Sequence, residues 1–525
     1  MATQDASPKA NVASEEGHVK VYSAATNELA GAQVDAHYES LRNANVFKRF
    51  FFWVVSFVVP GLGMFSEAYF VFSIGNLKPI FKALYPACWT THEVCPSNLS
   101  DSLTYSQVSG IIAGQLFIGF FADRIGRKYG SIMTASIMLV FGILITASSG
   151  SNENNLFIMF TVVQALFGVG VGGEYPVAST SANERAEENA HLQNKRGETV
   201  VLVFSMQGWG NLFNTWIILA ILAGFGQHEP PYSDYALEVT WRLSYALGLL
   251  PLLFIWYWRV FQLRESAVWR KKRESLKSMG KGTRFGYRKT RLLMYYYWHR
   301  IAGTSLSWFV WDFAFYGNKL FQSTFIKVIN PGAGILQVLE WTLLNSAVAL
   351  VGYYFAAFTI DRTWMGRKRM QMMGFAWMCV LFLICAGAYT TLLKPGNIHT
   401  IPTEARSMCH GFAAAVGKAG ALVAGVIFNL VSDRDKFWIS GACGAAGVVL
   451  TFITIPDLTG LDLKEGDKRW LAIVDGEHDE YTGPAIAKKH LSFVEKVFYR
   501  FQHNYSDAPV DSGKESPIKQ DEQQQ

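Results

Sequence analysis

The sequence predicts an all-α protein threaded many times through a membrane. Half of its 525 residues are hydrophobic and only 17% are charged, which is too apolar for an ordinary soluble surface. The apolar residues arrive in blocks of roughly 20, the length a helix needs to cross a ~30 Å hydrocarbon core. Lys and Arg fall mainly between those blocks, so the formal charge of +6 reads as loop charge, and no nucleic-acid partner is expected.

In chain order, residues 1–46 are polar and form an expected cytosolic tail. No apolar stretch lies near Met1, so no cleavable signal is read and the first span is expected to begin insertion. Apolar runs over 50–74, 106–122, 129–149, 155–178, 199–226 and 242–262 make an N-terminal helical bundle, 47–262. Residues 263–300 hold twelve Lys and Arg against two Glu, and the positive-inside rule puts this central loop in the cytosol. Runs over 302–327, 337–360, 370–393, 407–431 and 437–456 make a C-terminal bundle, 301–458, for eleven spans in all. The remainder, 459–525, is polar and rich in Lys, Asp and Glu, and is expected to be a largely disordered cytosolic tail.

With the central loop inside, the stretch ACWTTHEVCPSNLSDS after the first span lies outside. There Cys88 and Cys95 can pair and Asn98 can accept a glycan; a free thiol pair and an unused sequon are the plainer alternatives. The other four cysteines fall in or beside spans, where packing is the simpler role.

Two loops repeat. GFFADRIGRK follows the second span, and DRTWMGRK follows the second span after the central loop. Gly126 and Gly366 permit tight turns, while Asp123 and Asp361, with Arg124, Arg127, Arg362 and Arg367 beside them, can pair with a cation or a helix N-terminus in a gate. Halves built alike imply a cavity between them near the midplane.

These loops resemble the signature of the major facilitator superfamily. Within it, GVGVGGEYPVASTSANE (168–184), FSMQGWGNLFNT (204–215), GTSLSWFVWDFAFYGNKLFQS (303–323) and HGFAAAVGKAGALVAG (410–425) resemble the phosphate:proton symporter family, which in fungi includes glycerophosphodiester carriers. The likeness covers most of 50–458 and implies two six-helix bundles rocking about a midplane site.

The same segments make chemical sense by themselves. Gly168, Gly170, Gly172 and Gly173 leave one helix flank bare for a neighbour, so that Glu174 and Tyr175 project into the remaining space; helix packing alone explains the glycines but not a carboxylate at that depth. Trp308, Asp312 and Tyr316 recur at i, i+4 and i+8 on one helix face, an acid between an indole N–H and a phenol, which suits a protonated oxyanion. The bland alternative is that Trp308 and Tyr316 are lipid-facing or packing aromatics, with Asp312 paired to a cation on another helix. Lys418 is the sole charge between Arg406 and Asp433, and balances Asp312 unless it snorkels to the interface.

By resemblance, Tyr175, Gln207, Trp308, Asp312, Tyr316 and Lys418 bind substrate, and Glu67, Glu174 and Asp312 carry protons. Two positions depart from the family pattern: Phe70 stands where a second acid is common, and Glu174 where Asp is frequent. A larger departure lies at Thr400–Ile401. The stretch LLKPGNIHT is too short to cross a membrane as a helix, yet a cytosolic-looking segment follows, so one span, with the family's phosphate-contacting asparagine, is missing. An odd count would place the C-terminal tail outside.

The expected function is proton-coupled symport of inorganic phosphate across the plasma membrane by a monomer, with no enzyme activity, cofactor or metal, and with no phosphate loop for ATP. A glycerophosphodiester carrier is the alternative. The missing span also leaves a non-transporting sensor or a defective relic open.

Overall fold

The computed structural model describes residues 45, 47, 58–188, 195–263, 287–321, 323, 326, 332–387, 409–461, 463–501 and 505. Among these residues, eleven long helices fall on the eleven predicted spans: α1 Val59–Leu84, α2 Ser97–Ile125, α3 Arg127–Thr146, α4 Glu153–Glu188, α5 Arg196–Gly224, α6 Asp234–Phe261, α7 Tyr287–Leu320, α8 Ile335–Thr359, α9 Gly366–Gly387, α10 Cys409–Leu430 and α11 Asp433–Thr454. Several run past their apolar stretches, because a helix begun in hydrocarbon keeps its internal hydrogen bonds as it emerges into water. Thus α1 continues through Pro79 to Leu84, and α7 begins at Tyr287, well before the apolar run that opens at Ala302.

Among the described residues, five helices are long and apolar enough by themselves to cross a membrane: α3, α4, α6, α8 and α11. Four of the others, α1, α5, α7 and α10, carry Glu67, Gln207, Asp312 and Lys418 toward the molecular interior.

Packing reproduces the repeat seen in the sequence. In the first half α1 packs on α5 and α6, and α3 on α6; in the second, α7 packs on α10 and α11, and α9 on α11. Matching α7, α8, α9, α10 and α11 to α1, α2, α3, α5 and α6 preserves each pairing. The halves then meet through equivalent contacts, α2 on α10 and α8 on α5. No helix among the described residues takes in the second half the place that α4 holds in the first, against α2 and α3. The junction Thr400–Ile401, where the sequence predicts a missing span, lies outside the described residues. Its flanks are informative: Arg434 at the start of α11 donates to the Ala386 carbonyl at 3.2 Å, so α9 ends beside the start of α11, whereas α10 begins a full helix length away.

The glycine run behaves as close-packing residues. A Cβ at Gly168 or Gly172 would overlap the α2 backbone at Gln107 and Ile111, and one at Gly170 or Gly173 would meet Met138 and Thr134 on α3. Both repeated loops turn at a glycine with positive φ, 108° at Gly126 and 69° at Gly366. On the opposite face, Cys88 and Cys95 form a disulfide with Cα atoms 4.6 Å apart, and Asn98 is exposed at the start of α2.

Residues 463–501, expected to be disordered, are folded. Helix α12, Leu463–Asp475, and short turns pack on the inner extension of α7. The Arg367 N–H donates to Thr459 Oγ1 at 3.0 Å, so this module shares the face of the basic loops; it does not lie on the opposite side, as an odd span count would place it. Its centre is Glu495, fully buried, which accepts from Arg300 at 2.6 and 2.8 Å, from Arg469 at 3.2 Å and from the Ser492 N–H at 2.9 Å. Composition misled here because the hub is made of charged residues, and an acid with two arginines looks like solvated tail until the three meet.

Burial alone would push the Glu495 carboxyl up, but Arg300, His299 and Arg469 outweigh it and hold it well below the usual carboxylate range. A depressed folded-state value means full stabilisation above the ordinary glutamate value of ~4.3 and loss only as pH falls through the lower one. Wild type should therefore keep its tail protected from trypsin from pH 7 down to mild acid. Glu495→Ala strands Arg469, only 2% exposed, and should release the module by about 3–5 kcal/mol, read as rapid tryptic cleavage at pH 7. Equal cleavage of both proteins would exclude the hub.

Candidate functional site

Each functional side chain projects from a helix that packs against the opposite half or close to it. On α1, Glu67 is fully buried and accepts from Tyr175 Oη of α4 at 2.7 Å and from Gln207 Nε2 of α5 at 2.8 Å. Gln207 Nε2 also donates to Tyr175 Oη at 2.8 Å, closing a triangle in the N-terminal half. In the C-terminal half, Lys418 of α10 donates to Asp312 Oδ2 at 3.0 Å and to Tyr316 Oη at 2.7 Å, both on α7. Trp308 hydrogen-bonds Asp312 from the adjacent turn. All three positions of the i, i+4, i+8 stripe thus share one network, and the lipid-facing alternative fails for Tyr316, which is only 1% exposed.

Tyrosine hydroxyls join the halves at this level. Tyr175 Oη lies 3.4 Å from Tyr316 Oη, and Tyr353 of α8 donates to Gln207 Oε1 at 3.3 Å. The Lys418 ammonium also sits over two rings, 3.9 Å from the Tyr316 centroid and 4.9 Å from that of Tyr175. Cation–π contact adds to the ion pair where water is absent. Lys418 does not snorkel: its side chain is 2% exposed.

Contacts between the halves lie on both sides of the cluster. Toward the basic face, Asp361 accepts the Glu198 N–H in the first turn of α5 at 2.9 Å and pairs with Arg367 at 2.8 Å, while Gly197 leaves room for the carboxylate. A carboxylate at a helix N-terminus meets unpaired N–H groups and the positive end of the helix dipole. Arg362 is exposed, and the side chains of Asp123, Arg124 and Arg127 lie outside the described residues. Toward the other face, Phe72 packs against Phe315 and Tyr316 with centroids 5.9 and 5.8 Å apart, and Gly75 lets α1 approach the Lys319 carbonyl of α7.

Glu174 requires a correction. Expected to project toward the central space, it turns instead into the N-terminal bundle, where Arg259 of α6 grips both of its oxygens, one bond measuring 2.7 Å, and Thr134 of α3 donates at 3.1 Å. Neighbouring residues on a helix point about 100° apart, so Tyr175 reaches the cluster and Glu174 cannot. Gly63 makes room for this pair, since a Cβ there would overlap the Glu174 carboxylate. Arg259 was missed because it stands near the end of an apolar run and looks like the first residue of a basic loop. Tyr353 was missed because one tyrosine in an apolar span carries no signal.

With this geometry established, known proteins provide the context. A family model described as "Sugar (and other) transporter" matches residues 55–284. The glycerophosphoinositol permease 1 of Candida albicans is 30% identical over 444 residues, covering 78% of this chain and 80% of that protein. The chain belongs to the major facilitator superfamily. Within it, the transporter is similar to the glycerophosphoinositol transporter 1 of Saccharomyces cerevisiae, 29% identical over 79% of this chain and 81% of that one. It is also similar to the inorganic phosphate transporter 1-2 of rice, 27% identical over 88% of this chain and the full 100% of that protein. The solved proton:xylose symporter XylE superposes with a TM-score of 0.61 at 18% identity, covering 79% of this chain and 98% of XylE, a likeness of fold. Its relatives are transporters and permeases, and this chain is a multi-pass membrane transporter rather than an enzyme.

The buried Lys418–Asp312 pair generates a thermodynamic cycle. Asp312→Asn leaves an ammonium without its acid in low dielectric, a defect of about 3–5 kcal/mol that should appear as lost surface expression. Adding Lys418→Met should restore expression relative to the single variant. Expression defects that simply add would show that the two charges do not support one another.

Proposed function

We propose that the transporter is a proton-coupled symporter of inorganic phosphate at the plasma membrane, working by alternating access. The observation that carries this is the continuous, largely buried network Glu67–Tyr175–Gln207 to Tyr316–Lys418–Asp312–Trp308, three residues from the N-terminal bundle and four from the C-terminal one. Its chemistry suits a protonated tetrahedral oxyanion: Lys418 offers charge, Tyr175, Tyr316, Gln207 and Trp308 offer donors, and Asp312 accepts a proton the substrate keeps. An arriving oxyanion competes with Asp312 for Lys418, so binding loosens the pair that holds α7 to α10.

Coupling falls to carboxylates that can shed charge while the halves move. Glu67 is held by a phenol and an amide, and Asp312 faces the substrate; these are the two proposed proton carriers in the cluster. Glu174, gripped by Arg259, serves in this proposal as a brace among α3, α4 and α6. The proposed inner gate is the Asp361–Arg367 pair on the first turn of α5, opened when the bundles rock, with Asp123, Arg124, Gly126 and Arg127 as its repeat counterpart.

One observation favours a second reading. The glycerophosphoinositol permeases match at 30% and 29% identity against 27% for a rice phosphate transporter, so a phosphodiester substrate at the same oxyanion site is the alternative.

Uptake of labelled phosphate into proteoliposomes under an imposed proton gradient tests the proposal, with glycerophosphoinositol as competitor. Inorganic phosphate should accumulate, and the competitor should block it only weakly; strong block together with uptake of the diester itself would select the second reading. Glu67→Gln should abolish uphill accumulation yet leave phosphate exchange, because the amide keeps hydrogen bonds without titrating. Glu174→Gln should instead lower the amount of folded protein. Unchanged uphill uptake by Glu67→Gln would remove Glu67 from the proton path.

A further inference from the structure

The folded C-terminal module presents a surface that the transport cycle does not use. The segment Lys488–Arg500 contains one acid, Glu495, which is turned inward onto Arg300 and Arg469. Its outward residues are apolar or basic: Phe493, Val497 and Phe498 are 44%, 47% and 76% exposed, and Lys488, Lys489 and Arg500 are exposed among them. A cluster of exposed large apolar side chains marks an interaction surface.

Position identifies its occupant. Phe452, 52% exposed near the inner end of α11, belongs to the lipid-facing belt, and its ring lies 6.1 Å from that of Phe493. The apolar surface of the span therefore continues without a break onto the module. On α7, Gly303 abuts Thr454 at the inner end of α11, so Trp298 stands about 7.5 Å further inward at 1.5 Å per residue, in the headgroup region. Trp298 is 50% exposed and donates to Tyr499 Oη at 3.1 Å, tying the module to the interfacial aromatic belt. Lys368 lies at the same edge: its Nζ donates to the Phe452 carbonyl at 3.0 Å and sits 5.6 Å from that ring, close enough to Lys496 for the two cations to repel.

We infer that this surface binds an anionic phospholipid of the cytoplasmic leaflet, with its phosphate between Lys368 and Lys496 and its chains along Phe452 and Phe493. Val497 and Phe498 enter the boundary between headgroups and chains, while Lys489 and Arg500 face the surrounding negative surface. A bound phosphate relieves the repulsion between Lys368 and Lys496, and the lipid chains cover apolar rings that water would otherwise contact. The module is then fixed at three points: the bilayer, the inner extension of α7 through Arg300, and the gate loop through Thr459.

The test uses full-length protein in liposomes, with an environment-sensitive fluorophore on Phe498→Cys and the parent protein as labelling control. Brominated phosphatidylcholine liposomes with and without phosphatidylserine are compared, and iodide probes access from water. The expected result is bromolipid quenching that is stronger with phosphatidylserine, with iodide excluded. Lys368→Gln with Lys496→Gln should weaken the phosphatidylserine dependence by at least about ten-fold, since each surface lysine contributes on the order of five-fold. Absence of bromolipid quenching would overturn the inference, in favour of a protein partner if iodide is also excluded and of an open surface if it is not. Quenching that is indifferent to phosphatidylserine would overturn the anionic-lipid site.

Discussion

A lysine and an aspartate held in the middle of a membrane protein constrain everything around them. Lys418 and Asp312 are each about as buried as side chains become, 2% and 4% exposed, and neither charge is tolerable there alone. Their helices, α7 and α10, must therefore stay packed whenever the site is empty. Tyr316 and Trp308 add hydrogen bonds to the pair, and through Tyr175 it reaches Glu67 in the other bundle. A ligand able to replace Asp312 as the partner of Lys418 can loosen this junction, which gives binding a physical route to motion.

The spans were legible because hydrocarbon thickness imposes a length that apolar runs reveal directly. Their ends were not: α7 carries aromatic and basic residues well before its apolar stretch, and they stay helical because the folded tail packs on them. The stripe Trp308, Asp312, Tyr316 was legible from period alone, since side chains four apart share a helix face. Tyr175, Gln207 and Glu67 offered no such pattern, and came from the family resemblance. Glu174 shows the limit of local inference. Its neighbour Tyr175 faces the cluster, but its own direction depends on Arg259, 85 residues away.

The tail escaped sequence reading for a related reason. Composition treats charge as a mark of solvation, whereas Glu495 and Arg469 are charges used as a core. Around them Ile486, Leu491 and Phe501 form a small apolar cluster. Because Thr459 meets the turn at Gly366 and Arg300 opens the membrane stretch of α7, the module touches two elements that the proposed alternating access would move. Each pairing described above for the second half has a counterpart in the first, whereas α4, the glycine-rich helix that delivers Tyr175 to the site, has no described equivalent in the second.

The position of the oxyanion itself is the most direct measure of this account. Arsenate has the shape and charge of phosphate and scatters anomalously, so an experimental structure grown with it would locate the bound anion without reference to surrounding side chains. The account predicts one anomalous peak at the midplane, within hydrogen-bonding reach of Lys418 Nζ and of donors from both halves, Tyr175 and Gln207 among them. A peak elsewhere in the protein, with Lys418 still paired to Asp312, would contradict it.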